Sequence, residues 1–204
     1  MPRVSEQYRA DRRAEILGAA ARLFAANGFH ATSMADIIGE AGLSAGAVYR
    51  YFPSKEDLVA AVAETALSAA DEVFAELLAD NAAPSPAHAV SVLIEAITAR
   101  LMNEPETGVD FTRIGVQVWA EALRSPALAT RADAVYLRLR GHCAEVARRR
   151  QQAGLLPDDA DPDHVGAAML GLVQGFVLQH LLINGTTPAA YIAGLNALFP
   201  TPTS

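Results

Sequence analysis

Cysteine and lysine occur once each in these 204 residues, and the two scarcities exclude different things. With Cys143 alone, the chain closes no internal disulfide and builds no cysteine-ligated structural zinc site, which fits a reducing compartment. Lys55 stands alone among sixteen basic residues, all the others being arginine. Histidine chemistry is missing too. His30, His88, His142, His164 and His180 form no i, i+4 pair and no His-Glu-x-x-His motif. No Walker loop, dinucleotide fingerprint or Gly-x-Ser-x-Gly elbow occurs, so neither enzyme activity nor a cofactor is expected. His142 adjoins Cys143, but consecutive helix positions diverge by about 100°, which makes a packing pair rather than a nucleophile and its base. The acidic pairs Asp71-Glu72 and Asp158-Asp159 read as solvated surface and linker.

Alternating apolar patterns of strand length are absent as well. The N-terminal residues MPRVSEQYRADRRAE contain no apolar run, so no secretory signal is expected. One uncharged stretch, Val165 to Ile183, is long enough to span a bilayer. Gln174, Gln179, His180 and three glycines interrupt it, its N-terminal flank DDADPD is acidic, and no Lys or Arg follows. A buried helix in a soluble cytoplasmic protein is expected there, not a membrane span.

The net charge of −7 argues against a protein that simply coats nucleic acid. The charge is unevenly spread. Residues 1–58 are balanced, with seven basic and seven acidic side chains, and the excess acid lies entirely beyond them. Arg3, Arg9, Arg12 and Arg13 make the extreme N-terminus basic, so a polyanion would approach from that end.

Proline and glycine segment the chain. Ser85-Pro86, Ser125-Pro126, Asp161-Pro162 and Thr187-Pro188 each pair an N-cap with a proline suited to the first helical turn. Asn27-Gly28, Gly154 and Asn184-Gly185 mark helix ends. Between them the apolar spacing is helical, as in Ile16, Ala20, Leu23 and Phe24 on a helix from about Arg9 to Ala26. A long helix should run from Ser54 to about Ala79, with Leu58, Val62, Leu67 and Phe74 on its inner face. Loose connections are expected near Asp80–Pro84, Asn103–Gly108 and Leu156–Asp161. The fold class is all-α, with about nine helices.

The most informative stretch is HATSMADIIGEAGLSAGAVYRYFPSKEDL. Ser33 with Asp36 fits a capping box opening a short helix from Met34 to about Ala41. Gly42 permits a tight turn, and Ser44 caps a second short helix ending near Phe52. This is the layout of a helix-turn-helix. On the second helix Val48 and Phe52 share the buried face; Gly46, Ala47 and Arg50 lie opposite, with Tyr49 and Tyr51 on the flanks. A helix this short and this thin at its leading edge suits insertion into a DNA major groove about 12 Å wide. Arg50 can reach a guanine edge or a phosphate, the two tyrosine hydroxyls can reach phosphates, and Lys55 opens the next helix close by.

This stretch, together with ILGAAARLFAANGFHATS before it, resembles the DNA-binding signature of the TetR family of bacterial transcriptional regulators. The likeness is close from Arg9 to Glu64. It implies an all-α homodimer with a three-helix DNA-binding head at residues 1–58 and a ligand-binding and dimerisation body at 59–204. By matching positions it implies DNA contacts at Thr32, Ser33, Ser44, Ala45, Gly46, Ala47, Tyr49, Arg50, Tyr51 and Lys55. Many members carry polar residues where this chain has Ala45 and Ala47, which leaves base reading heavily dependent on Arg50. The family default is a repressor that binds a palindromic operator and is released by a small molecule. An activator, or a carrier with a vestigial head, remains the alternative.

In the body, Phe111, Gln117, Trp119, Tyr136 and His142 offer the aromatic and sparse polar groups expected of a pocket for an apolar or aromatic ligand. Val165–Ile183 is apolar nearly all round and carries Gly166, Ala167, Ala168, Gly171 and Gly175, so a partner helix can approach closely. A dimer interface is expected at Met169, Leu172, Val173, Phe176 and His180, joined by Leu195 and Leu198.

Overall fold

The computed structural model describes residues 6–102 and 108–200. Arg3, the connection 103–107 and the side chain of Leu67, each given a place above, lie outside the described residues. Those residues hold nine α-helices, one 3-10 turn and no strand. The helices are α1 Glu6–Ala31, α2 Met34–Ala41, α3 Ala45–Tyr51, α4 Lys55–Leu77, α5 Pro86–Arg100, α6 Phe111–Ala122, α7 Pro126–Gln152, α8 Pro162–Leu182 and α9 Pro188–Leu198.

All four proline-marked starts are helix starts. Ser85 Oγ accepts from His88 N at 3.1 Å, Asp161 from Asp163 N at 2.8 Å and Thr187 Oγ1 from Ala190 N at 3.2 Å. Each satisfies an amide that has no partner within its own helix. Helix α1 outruns its expected end at Ala26. The backbone breaks at Gly28, with φ 84° and ψ 166°, and then resumes for a further turn to Ala31.

Two compact units are present: Met1–Thr65 with Leu101–Ala132, and Ala66–Arg100 with Asp133–Ser204. The first therefore reaches past residue 58. Its core joins Ile16, Ala20 and Phe24 of α1 to Ile37, Val48, Phe52, Leu58 and Val62, and then to Val109, Phe111, Ile114 and Leu128. Helix α6 and the first turns of α7 thus help build the head. The second unit buries Val73, Phe74, Val90, Ile94, Cys143, Val146, Met169, Phe176 and Leu195, with α5 packed on both α8 and α9.

Helix α8 is long and apolar enough to cross a membrane, yet only 28% of its apolar window is buried within the chain. The expected full burial is therefore not achieved by this chain alone. The buried sides of α8 and α9 also correct four of the seven interface residues. Met169, Val173, Phe176 and Leu195 are 2%, 8%, 0% and 3% exposed, sealed in the unit's own core and unable to meet a partner. Leu172 is half-buried; His180 and Leu198 are exposed. The outward apolar face consists of Ala167, Ala168, Gly171, Leu182, Ile183, Ala197, Leu198 and Phe199. The small residues divide in the same way. A Cβ on Gly166 would stand 2.8 Å from Ala144 N and Arg140 O, so this glycine lets α7 of the same chain approach, whereas the space beside Gly171 is open.

Candidate nucleic-acid interface

The helix-turn-helix is assembled from local bonds. Ser33 Oγ accepts from Asp36 N at 3.2 Å, while the Asp36 carboxylate accepts from Ser33 N at 2.8 Å and Ser33 Oγ at 2.7 Å. These bonds, the hydroxyl's first, hold the Asp36 carboxyl below its ordinary pKa. Gly42 closes α2 in the left-handed region, at φ 65° and ψ 26°, with its N–H donating to Gly39 O at 3.1 Å. Leu43 then turns into the core and Ser44 Oγ caps α3 by accepting from Ala47 N at 3.3 Å.

Two side chains anchor α3. Val48 is fully buried and Phe52 nearly so. One turn apart, they pin the helix and leave its other face outward. Ser44, Ala45, Gly46, Tyr49 and Arg50 are exposed; Ala47 and Tyr51 are half-buried. The Arg50 guanidinium lies 5.5 Å from the Tyr51 ring centre. A Cβ added to Gly46 would touch nothing within 4 Å.

Thr32 departs from the expected contact set. It is 0% exposed, and its hydroxyl donates to Gly28 O at 2.9 Å and Leu23 O at 3.3 Å. Its work is to lock the chain as it leaves α1; the neighbouring Ser33 is the exposed member of the pair. Lys55 has a structural duty as well. Its Nζ donates to Phe29 O at 2.7 Å and Thr32 O at 2.9 Å, and it sits 4.1 Å above the Phe29 ring. An ammonium has three donors, and these two carbonyls take two of them.

Other basic residues of the head are partly engaged. Arg12 bonds Glu15 at 2.6 Å and Tyr8 Oη at 3.1 Å, Arg22 bonds Glu40 at 3.1 Å, and Arg13 lies 5.2 Å from the Phe52 ring centre. Arg9 is exposed.

Sequence reasoning missed the residues that brace this head from far along the chain. Glu121 of α6 meets His30 Nε2 at 2.5 Å, and Gln117 of α6 brings a buried Oε1 with no hydrogen-bond partner toward Gly28. Arg131 of α7 donates to Glu56 O and Asp57 Oδ1, both at 2.9 Å. No local pattern signals contacts across 74 or more positions.

The five expected pocket residues do not form one set. Phe111 belongs to the head core at 8% exposure, and Gln117 and Trp119 lie on α6 in the same unit. Tyr136 and His142 belong to the other unit. Burial raises the Tyr136 hydroxyl above its ordinary pKa despite a hydrogen bond with Gln174. His142 stacks on Phe74, ring centres 4.8 Å apart, and its Nε2 meets Asp71 Oδ1 at 2.6 Å. Asp71 also accepts from Arg138. It is therefore not the solvated surface acid expected from the Asp71-Glu72 pair.

Comparison with known proteins gives matches to both parts of the chain. Residues 16–62 match bacterial regulatory proteins of the tetR family, and residues 86–198 match the C-terminal part of BetI-type transcriptional repressors. The HTH-type transcriptional repressor Rv1474c of Mycobacterium tuberculosis is 31% identical over 202 residues, covering 96% of this chain and 95% of its own. Among solved structures, Salmonella enterica GusR superposes with a TM-score of 0.74 at 23% identity, covering 97% of this chain and 98% of its own. A transcriptional regulator from Saccharomonospora viridis in complex with choline gives 0.70 at 26% identity, with 93% and 95% covered.

Proposed function

The chain belongs to the TetR family of bacterial transcriptional regulators, and from that premise we propose that it is a repressor that binds a palindromic operator as a homodimer and leaves it when a small molecule occupies the body. The observation that carries this reading is the outward face of α3. Ser44, Ala45, Gly46, Tyr49 and Arg50 stand exposed on a helix held from behind by Val48 and Phe52. Arg50 supplies the hydrogen-bonding reach to a guanine edge, and the methyl groups of Ala45 and Ala47 suit the C5-methyl of thymine. Ser33, Tyr49, Tyr51 and the remaining donor of Lys55 serve the phosphates on either side.

The proposed second copy would cover the apolar outward face of α8 and α9, where Ala167, Gly171, Leu182 and Leu198 are exposed. A face this extended and uncharged needs cover, and a two-fold partner presents the same face in return. Two recognition helices about 34 Å apart then read an inverted repeat. The effector is proposed to be small and apolar or aromatic. The choline on the Saccharomonospora viridis neighbour favours a second reading, an organic cation recognised by aromatic rings. Release follows if the effector binds the DNA-incompetent spacing more tightly, by about 1–3 kcal/mol in ordinary allosteric couplings. A bacterial regulator acting on DNA works in the cytoplasm.

Selection of bound fragments from a random DNA pool tests the reading. An inverted repeat should be recovered, and Arg50→Ala should lose preference at one base pair in each half. Recovery of no sequence above background would leave a carrier with a vestigial head. An activator differs only in the sign of the transcriptional response to the same operator.

A further inference from the structure

We propose that α7 acts as a second strut beside α4, and that Arg131 is the positioning residue through which it holds the recognition helix in place. The inference rests on the reading of the chain as an effector-released DNA binder and adds the route by which release reaches the head. Here both α4 and α7 contribute residues to each of the two compact units, and they are tied to each other once in each.

In the head unit the tie is two-pronged. One guanidinium donates through Nη1 to Glu56 O and through Nη2 to Asp57 Oδ1, each at 2.9 Å. Two donors of one rigid plane on two acceptors of one helical turn fix direction as well as distance, which a single point charge cannot do. Asp57 is itself bonded to Ser54, whose hydroxyl donates to Asp57 Oδ2 at 2.6 Å and accepts from Asp57 N at 3.2 Å. Ser54 lies three residues past Tyr51, the last residue of α3. The grip of Arg131 therefore ends at the foot of the recognition helix.

In the body unit Asp71 of α4 accepts from Arg138 and faces His142 Nε2 at 2.6 Å, and the His142 ring stacks on Phe74. The faces agree. Arg131, Arg138 and His142 are spaced by seven and four, so they share one face of α7; Asp57 and Asp71, fourteen apart, share one face of α4. Neither helix is interrupted between its ties. A shift of either helix then carries the other with it or breaks charge-assisted bonds.

The test uses the full-length protein and two readouts. Hydrogen exchange followed by mass spectrometry reports the amides at 57–62, and fluorescence anisotropy reports affinity for the operator recovered by selection. Arg131→Gln should speed exchange at 57–62 and weaken operator binding about tenfold. Arg131→Lys, which keeps the charge and loses the fork, should recover only part of either. The decisive variants are in the body. Asp71→Asn and Arg138→Gln should also speed exchange at 57–62, whereas Leu137→Ala, exposed on α7 and off this face, should not. Unchanged exchange at 57–62 in both Asp71→Asn and Arg138→Gln overturns the strut, even if Arg131→Gln proves too unstable to purify. Failure to recover any operator sinks the DNA-binding reading instead and leaves the exchange result to judge the strut.

Discussion

Replacing Gly46 with alanine separates what the head needs for folding from what it needs for DNA, because the two effects carry opposite signs. Gly46 sits in the first turn of α3, exposed, and a Cβ there would meet nothing within 4 Å. Inside a helix, glycine is about 0.5–1 kcal/mol less stable than alanine. With no clash to offset the gain, Gly46→Ala should stabilise the free protein by about that amount, raising Tm by about 1–4 °C for a chain of this size. In the complex the same methyl stands on the leading edge of a helix seated in a groove about 12 Å wide. Overpacking at a close-fitting surface costs about 1–3 kcal/mol, which converts to a roughly 5- to 150-fold loss of operator affinity. Calorimetry of the free protein and anisotropy on the selected operator, at one fixed salt concentration, measure the two effects. A more stable protein that binds operator as tightly as before would refute the placement of Gly46 against DNA. A lower Tm would refute the open space beside it.

The remaining predictions address other parts of the molecule. Lys55→Met should lower stability by about 1–3 kcal/mol in urea titrations, because it leaves the carbonyls of Phe29 and Thr32 without their charged donor; if its third N–H meets a phosphate, the slope of log affinity against log salt falls by about 1 as well. Gly166→Ala should destabilise the body by about 1–3 kcal/mol or abolish its folding, since the added carbon would lie 2.8 Å from the α7 backbone, whereas Gly171→Ala should fold normally. Leu182→Glu, at a position 76% exposed in the single chain, should leave the monomer folded and shift sedimentation from dimer to monomer. Asp57 is held below its ordinary pKa of 3.8, first by the Ser54 hydroxyl and then by Arg131. A depressed carboxyl stabilises the fold above the unfolded value and loses that contribution as pH falls through the folded one. Asp57→Asn should therefore flatten the drop in Tm between about pH 5 and pH 3.

On the proposed reading, with Arg12, Arg22 and Lys55 bonded within the head, close approach at Gly46 and a few donors would do what a basic surface does elsewhere. Binding that rests on few phosphate contacts should also depend weakly on salt.

Much of this protein was legible in the chain because the decisive bonds are local. Ser33 with Asp36, Ser54 with Asp57 and the four cap-proline pairs each act within four residues, so caps, helix starts and the helix-turn-helix follow from the order of residues. Val48 and Phe52, one turn apart, decided by spacing alone which face of α3 points outward. The partners of Thr32, Lys55, Asp71 and Arg131 were decided only by the tertiary structure, since their contacts join residues up to 75 positions apart. So was the side on which α8 is buried. A helix apolar all round carries no polar stripe to orient it, and packing against α5, α7 and α9 put Met169 and Phe176 inside while leaving Gly171 and Leu182 exposed.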